Sequence, residues 1–132
     1  MKGWSNLHAE RDRLFERLFE ESSDSAYLMD PIAGRILDAN RAGCEMLEYT
    51  RDELLATPVS DIHPSEQAQM REFVDRVLRD RRGSTIKLTC RTKSGVYLPT
   101  EMTFHAFESD SRLYVLGLVQ DRSEHRMRPR ED

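Results

Sequence analysis

The stretch Ala26–Tyr49, AYLMDPIAGRILDANRAGCEMLEY, constrains what this chain can fold into more than any other. Ala26 to Met29 is a short apolar run, Asp30-Pro31-Ile32-Ala33-Gly34 is dense in turn formers, and Arg35 to Ala39 resumes an extended segment carrying Ile36 and Leu37. That pattern predicts a β-hairpin. Asn40 follows where a helix N-cap belongs, because its side-chain oxygen can accept from the free amides of the next turn. Ala42, Met46 and Leu47 then recur at roughly helical spacing. A strand pair feeding straight into short helices opens a small α+β domain. Thr50 and Glu53 next form a T-x-x-E capping box, Leu54 and Leu55 point inward from a helix of a turn or two, and Pro58 ends it.

On either side of this opening the periodicities are clear. Upstream, Leu7, Leu14, Phe15, Leu18 and Phe19 share one face of an amphipathic helix whose back carries Glu10, Arg11, Asp12, Arg13, Glu16, Arg17 and Glu20. That helix either covers a face of its own sheet or pairs with the same helix of a second subunit. Downstream, the main helix is predicted over Pro64 to Arg82, with Met70, Phe73, Val74, Val77 and Leu78 as its apolar stripe and Gly83 closing it as a C′ residue. Three strands follow. Ile86, Leu88 and Cys90 alternate with polar residues in the first, Leu98, Met102, Phe104 and Ala106 in the second, and Val115, Gly117 and Val119 share a face of the third. Lys93-Ser94-Gly95 is the turn between the first two. Hairpin, helices and three-strand meander together predict a five-stranded antiparallel sheet with its helices on one side.

The order of Asp30, Gly34, Ile36, Asn40, Ala42, Leu47 and Tyr49 resembles the start of a PAS sensor domain, and Gln120-Asp121-Arg122-Ser123-Glu124 resembles that family's exit signature. Residues 1–22 would then be an N-terminal amphipathic helix, 23–124 the PAS domain and 125–132 an exit segment. The resemblance implies a sensory module that binds a small molecule between its main helix and its sheet, or dimerises, and passes a change to an effector such as a histidine kinase or cyclase. The inward faces of the predicted elements offer a pocket in that place. Met70, Phe73 and Val77 come from the helix, and Leu88, Cys90, Met102, Phe104, Val115 and Gly117 from the strands. Gly117 is the notable one, since a mid-strand glycine costs stability and often marks close approach of a ligand. On this reading Val at 117 fills open space and blocks binding with little effect on the fold. Every side chain placed toward the pocket is uncharged, so the expected ligand is small and neutral or apolar.

Departures from better-known members narrow the chemistry. Flavin-binding light sensors of this fold carry a reactive cysteine after the helix that here spans Asp52 to Leu55. Ala56 to Ser65 has none, and Val119 stands where they place a glutamine. The resemblance therefore implies no flavin adduct. Oxygen sensors hold haem through a histidine in the main helix, which here offers only Met70, so the resemblance also argues against haem. Glu48 and Ala56 replace the family's usual glycines, which puts the local turns in question. His63, next to Pro64, reads as a structural loop residue, because no cysteine or carboxylate stands nearby at ligand spacing.

Composition closes off further classes. The chain has 132 residues, 38% of them hydrophobic, which suits one core rather than two. Twenty basic and 24 acidic residues are mixed along it for a net charge of −4, which leaves no electrostatic footprint for nucleic acid or an anionic membrane. No apolar run approaches the roughly 20 residues that span a bilayer, and the N-terminus lacks a secretory signal pattern, so the reading is a cytoplasmic protein. Cys44 and Cys90 form no C-x-x-C pair and read as buried small hydrophobes. The scattered His8, His63, His105 and His125 assemble no nucleophile-base pair, so the reading is not an enzyme. Two functions stay open, a ligand-binding sensor and a ligand-free dimerisation or relay module. Homodimerisation through Trp4 to Phe19 is expected in either case, and Asp121 is expected to cap a C-terminal helix that Pro129 stops.

Overall fold

The predicted hairpin forms as β1 (Ser25–Asp30) and β2 (Arg35–Ala39), and its turn is built by Asp30. The Asp30 carboxylate accepts from the amides of Ile32 and Ala33 at 2.9 and 3.1 Å, and Gly34 takes the left-handed φ of 66° that lets the chain reverse. This is a computed structural model describing residues 2–123, with side chains from residue 9 onward. Trp4, Leu7, His125, Pro129 and the 125–132 exit segment of the sequence reading lie outside the described residues or side chains. The remaining elements are α1 (Lys2–Glu21), α2 (Arg41–Leu47), α3 (Arg51–Leu55), α4 (Val59–Ile62), α5 (Gln67–Asp80), β3 (Arg82–Thr85), β4 (Thr89–Arg91), β5 (Tyr97–Ser109) and β6 (Arg112–Asp121).

The strands run β2-β1-β6-β5-β3, all antiparallel, with β4 also paired to β5. β1 is an interior strand of this order because it pairs with both β2 and the last strand, which joins the two ends of the domain. The inward face carries Tyr27, Met29, Ile36, Met102, Phe104, Val115 and Val119, and they pack with Leu47, Leu54, Ile62, Met70, Phe73 and Val77 from the helices. Alternation along β5 and β6 puts one side chain in and the next out, as the two-residue period requires. Both predicted caps are present: the Asn40 side chain accepts from Gly43 at the start of α2, and Thr50 and Glu53 form a reciprocal capping box on α3.

Three local expectations are corrected. α5 starts at Gln67 and ends at Asp80, shorter at both ends than the predicted Pro64–Arg82. Its left-handed end residue is Arg81, at φ 75°, whereas Gly83 lies in β3 beneath the side chains of Val77 and Phe73. The single strand expected through Ile86 and Cys90 is two. β3 pairs with β5 up to Thr85 opposite Met102, and β4 resumes at Thr89 opposite Pro99. Ile86, Lys87 and Leu88 therefore stand opposite Thr100 and Glu101, with one residue too many on their side, and the ladder breaks as at a bulge. Ile86 turns out to solvent at 55% exposure while Leu88 stays buried. At Glu48, the missing glycine is tolerated because Glu48 itself adopts φ 68°, and its carboxylate accepts from the amide and hydroxyl of Ser94.

α1 does not lie over the sheet as a cover for its own apolar face. Leu14, Phe15 and Leu18 are 53%, 57% and 67% exposed, and the helix meets the domain at α2. Among the described residues no helix is long and apolar enough to cross a membrane, and no three His, Cys, Asp or Glu side chains gather in a way that would hold a metal ion.

Candidate ligand site

The apolar stripe of α5 faces the sheet, and its central contact is aromatic. The Phe73 and Phe104 rings meet at a centroid distance of 4.9 Å, tilted by 50°. Towards the hairpin this packing opens into a cleft of about 490 Å³ between α5, α4 and the β1–β2 turn. Met29, Met70, Phe104 and Val115 form its apolar floor, and Asp30, Ser60, Gln67, Arg71 and Asp75 make a polar rim. The Asp30 carboxyl is held below its usual range by the Ala33 amide and the Arg112 guanidinium, which lies 3.1 Å away, so Asp30 stays ionised and paired on the hairpin side of the rim. Behind the floor lies a void of about 30 Å³ lined by Tyr27, Ile36, Leu47, Cys90, Met102 and Val119 among others. Met29, Val59, His63, Met70 and Phe104 border both spaces and so form the wall between them.

His63 is the polar member of that wall. It follows α4 and is 5% exposed. Its Nδ1 lies 2.6 Å from the Thr89 carbonyl oxygen, which can only accept, so Nδ1 carries the hydrogen. The Thr89 amide in turn donates to Glu66 at 2.9 Å, and the Glu66 amide donates to the His63 carbonyl at 3.1 Å, which clasps β4 to the start of α5. Burial pushes the His63 pKa below 6.5, against the opposing pull of the Thr89 carbonyl and of Glu66, whose Oε1 is 3.8 Å from Nδ1. A histidine depressed in this way keeps its full contribution to stability above about pH 6.5. As the pH falls below 6.5 the unfolded chain takes up the proton first, and stability is lost. Urea unfolding between pH 7 and 5 is expected to show this decline, and His63→Asn to remove part of it.

The structure distributes the nine predicted lining residues unevenly. Met70, Phe104 and Val115 line the cleft, with Cys90 and Met102 joining Met70 and Phe104 around the void. Phe73 and Leu88 border a separate hollow of about 460 Å³ on the far side of α5, beside Glu72, Arg76 and Lys87. Val77 is fully buried against Gly83. Gly117 is packed rather than open. A Cβ placed on it would lie 2.8 Å from the Met29 methyl and 2.8 Å from the Phe104 ring. Cys90 is buried beside the void with its thiol pushed up to about 12, which keeps it protonated and unreactive. The sequence reading placed no charged side chain toward the pocket, and it missed the rim of Asp30, Arg71 and Asp75.

Two connections join this site to the chain ends. Asn40 is 0% exposed and makes four hydrogen bonds. Its Oδ1 accepts from Ala26 at 3.0 Å and Gly43 at 2.8 Å, and its Nδ2 donates to the carbonyls of Phe19 at 2.9 Å and Asp24 at 2.8 Å. One side chain thus ties α1 to β1 and α2. At the other end, the Asp121 carboxylate accepts from the Ser123 amide at 2.8 Å, in the manner of an N-cap. Arg122 and Ser123 are helical, and the rest of the helix it was expected to cap lies outside the described residues.

An antiparallel sheet with a ligand-sized cleft between α5 and its first hairpin defines the class, a small α+β domain. A PAS domain family model matches residues 24–124, and the chain belongs to the PAS family. Among solved structures it resembles the PAS domain of an HTR-like protein from Haloarcula marismortui, at TM-score 0.76 and 20% identity over 92% of this chain and 99% of that one. It also resembles a PAS domain from a two-component sensor histidine kinase, at TM-score 0.74 and 22% identity over 86% and 98%. By sequence it is similar to the methyl sulfide methyltransferase-associated sensor of Methanosarcina acetivorans, 24% identical over 117 residues. That match takes in 87% of this chain but spans only 12% of the length of the relative.

Proposed function

We propose that this domain is a sensory module that takes up a small, neutral, largely apolar ligand in the cleft between α5 and the hairpin and relays the change to an effector. The observation that carries this reading is the cleft itself. Its volume of about 490 Å³ falls in the range of small-molecule sites, its floor is apolar, and its far wall touches a void into which packing can shift. The relay runs through β1 and β6, which pair with each other so that Asn40, bonded to Ala26, and Asp121, two residues past Val119, stand at the same end of the pair. The effector is a kinase or cyclase elsewhere in a longer chain or in another protein, in keeping with the sensor proteins this domain resembles. Catalysis, on this reading, belongs to that effector.

The filled space at Gly117 favours the second reading, a ligand-free relay module whose core is already packed. Native mass spectrometry of the purified protein separates the two. A bound small mass, or a mass gained on incubation with apolar probes, supports the sensor, and an empty protein that takes up none overturns it.

Either reading includes a homodimer through α1. Three large apolar side chains in a row on a 20-residue helix, each more than half exposed, are what a partner helix would cover. Deleting residues 1–20 is expected to give a monomer by light scattering. A truncated protein that still dimerises would place the interface on the sheet.

A further inference from the structure

Resting on the ligand-binding reading above, we propose that Nε2 of His63 is the hydrogen-bond acceptor of the cleft, and that the ligand it selects is an apolar molecule with a single neutral donor, an alcohol, a phenol or an amide N–H. Three observations meet at this atom. The Thr89 carbonyl fixes the hydrogen on Nδ1, so Nε2 of the neutral ring has a bare lone pair. Among the described residues no donor reaches Nε2, although His63 is 5% exposed. Among the described residues, however, no buried side-chain nitrogen or oxygen is sealed away without a partner. Nε2 therefore keeps some open surface, and His63 lines both the cleft and the void. The ring is thus held rigidly by one nitrogen and offers the other to whatever enters, beside a floor of Met29, Met70 and Phe104.

A ligand of equal shape without a donor would leave Nε2 dry and unpaired, and that difference is the source of selectivity. The size of the effect follows from a neutral hydrogen bond, about five- to tenfold in affinity. A charged ligand would lose its hydration on the apolar floor of Met29, Met70 and Phe104, where no counter-charge offsets the loss.

Phenol and toluene are the probes, nearly equal in volume and differing in the one donor. Titrated into the full chain and followed by calorimetry or ligand-observed NMR, phenol is expected to bind about five- to tenfold more tightly than toluene. His63→Asn keeps an amide donor where Nδ1 stands, and so keeps the Thr89 bond, but removes Nε2. It is expected to abolish the preference for phenol over toluene. In the unaltered protein, the Nε2 resonance in the ¹⁵N spectrum of the imidazole is expected to move on adding phenol and not on adding toluene. This readout stands even if the variant fails to fold. Equal binding of the two probes overturns the proposal and leaves the ligand cleft intact. A preference for phenol that survives in His63→Asn, or an Nε2 signal that phenol leaves unmoved, gives the hydroxyl to a rim acceptor such as Ser60 or Asp75 and also overturns it. Failure of both probes to bind overturns the cleft as a ligand site altogether.

Discussion

Asn40→Ala is expected to lower the unfolding free energy by about 3–5 kcal/mol, the largest effect of any single polar substitution in the domain. The side chain is wholly buried, and its removal strands four backbone groups, the amides of Ala26 and Gly43 and the carbonyls of Phe19 and Asp24. Each buried group left without a partner costs roughly 1–3 kcal/mol, and water reaching the cavity offsets part of the sum. Asn40→Asp separates the two halves of the role. Its oxygens keep both amides, but a carboxylate then faces the carbonyls of Phe19 and Asp24, so the end of α1 should detach while β1 and α2 hold. Urea melts should rank the native protein above Asp and Asp above Ala. Amide exchange in the last turn of α1 should rise in Asn40→Asp with little change in β1. If both variants loosen every element alike, Asn40 holds the core as a whole and does not couple α1 to it.

Asn40 was legible in the sequence because N-capping is local chemistry, set by one residue and the three that follow it. The same holds for the Thr50–Glu53 box and the Asp30 turn, each of which forms as read. What was not legible depends on partners far along the chain. The donors from Nδ2 of Asn40 to Phe19 and Asp24 are invisible until α1 is placed. The break at Ile86–Leu88 is a matter of register against β5, whereas the alternation of Ile86, Leu88 and Cys90 by itself spells one strand. Gly83 looked like a helix end because glycine usually takes the left-handed position. Here it stands two residues later, where a Cβ would meet Val77 at a tight 3.1 Å, and Arg81 takes the left-handed conformation instead. His63 looked idle because its partner is the backbone of Thr89, 26 residues away, and backbone carbonyls leave no mark in a sequence. The nearest signal was Glu66, three residues on, which is the residue that holds Thr89 in place.

Gly117→Val is expected to lower the melting temperature and to cost about 1–3 kcal/mol, through crowding rather than through a blocked cavity. The two neighbours of a new Cβ differ in what they can give up. The Met29 methyl, at 2.8 Å, is the end of a flexible side chain that can swing into the cleft or the void it already borders. The Phe104 ring, also at 2.8 Å, is larger and stiffer and packs 4.9 Å from the Phe73 ring, so moving it costs that contact as well. Gly117→Ala should therefore be tolerated better than Val, since one methyl can be met largely by Met29, whereas the branches of Val also reach the ring. The double change Gly117→Val with Phe104→Leu tests the assignment. If the clash with the ring is the cause, the smaller side chain should restore part of the stability that Val removes, even though Phe104→Leu alone is destabilising. Costs that simply add would show that the strain lies elsewhere. A Val variant that melts like the native protein would mean that Phe104 already has a second resting place, which is the freedom a ligand-responsive floor requires and a packed core lacks.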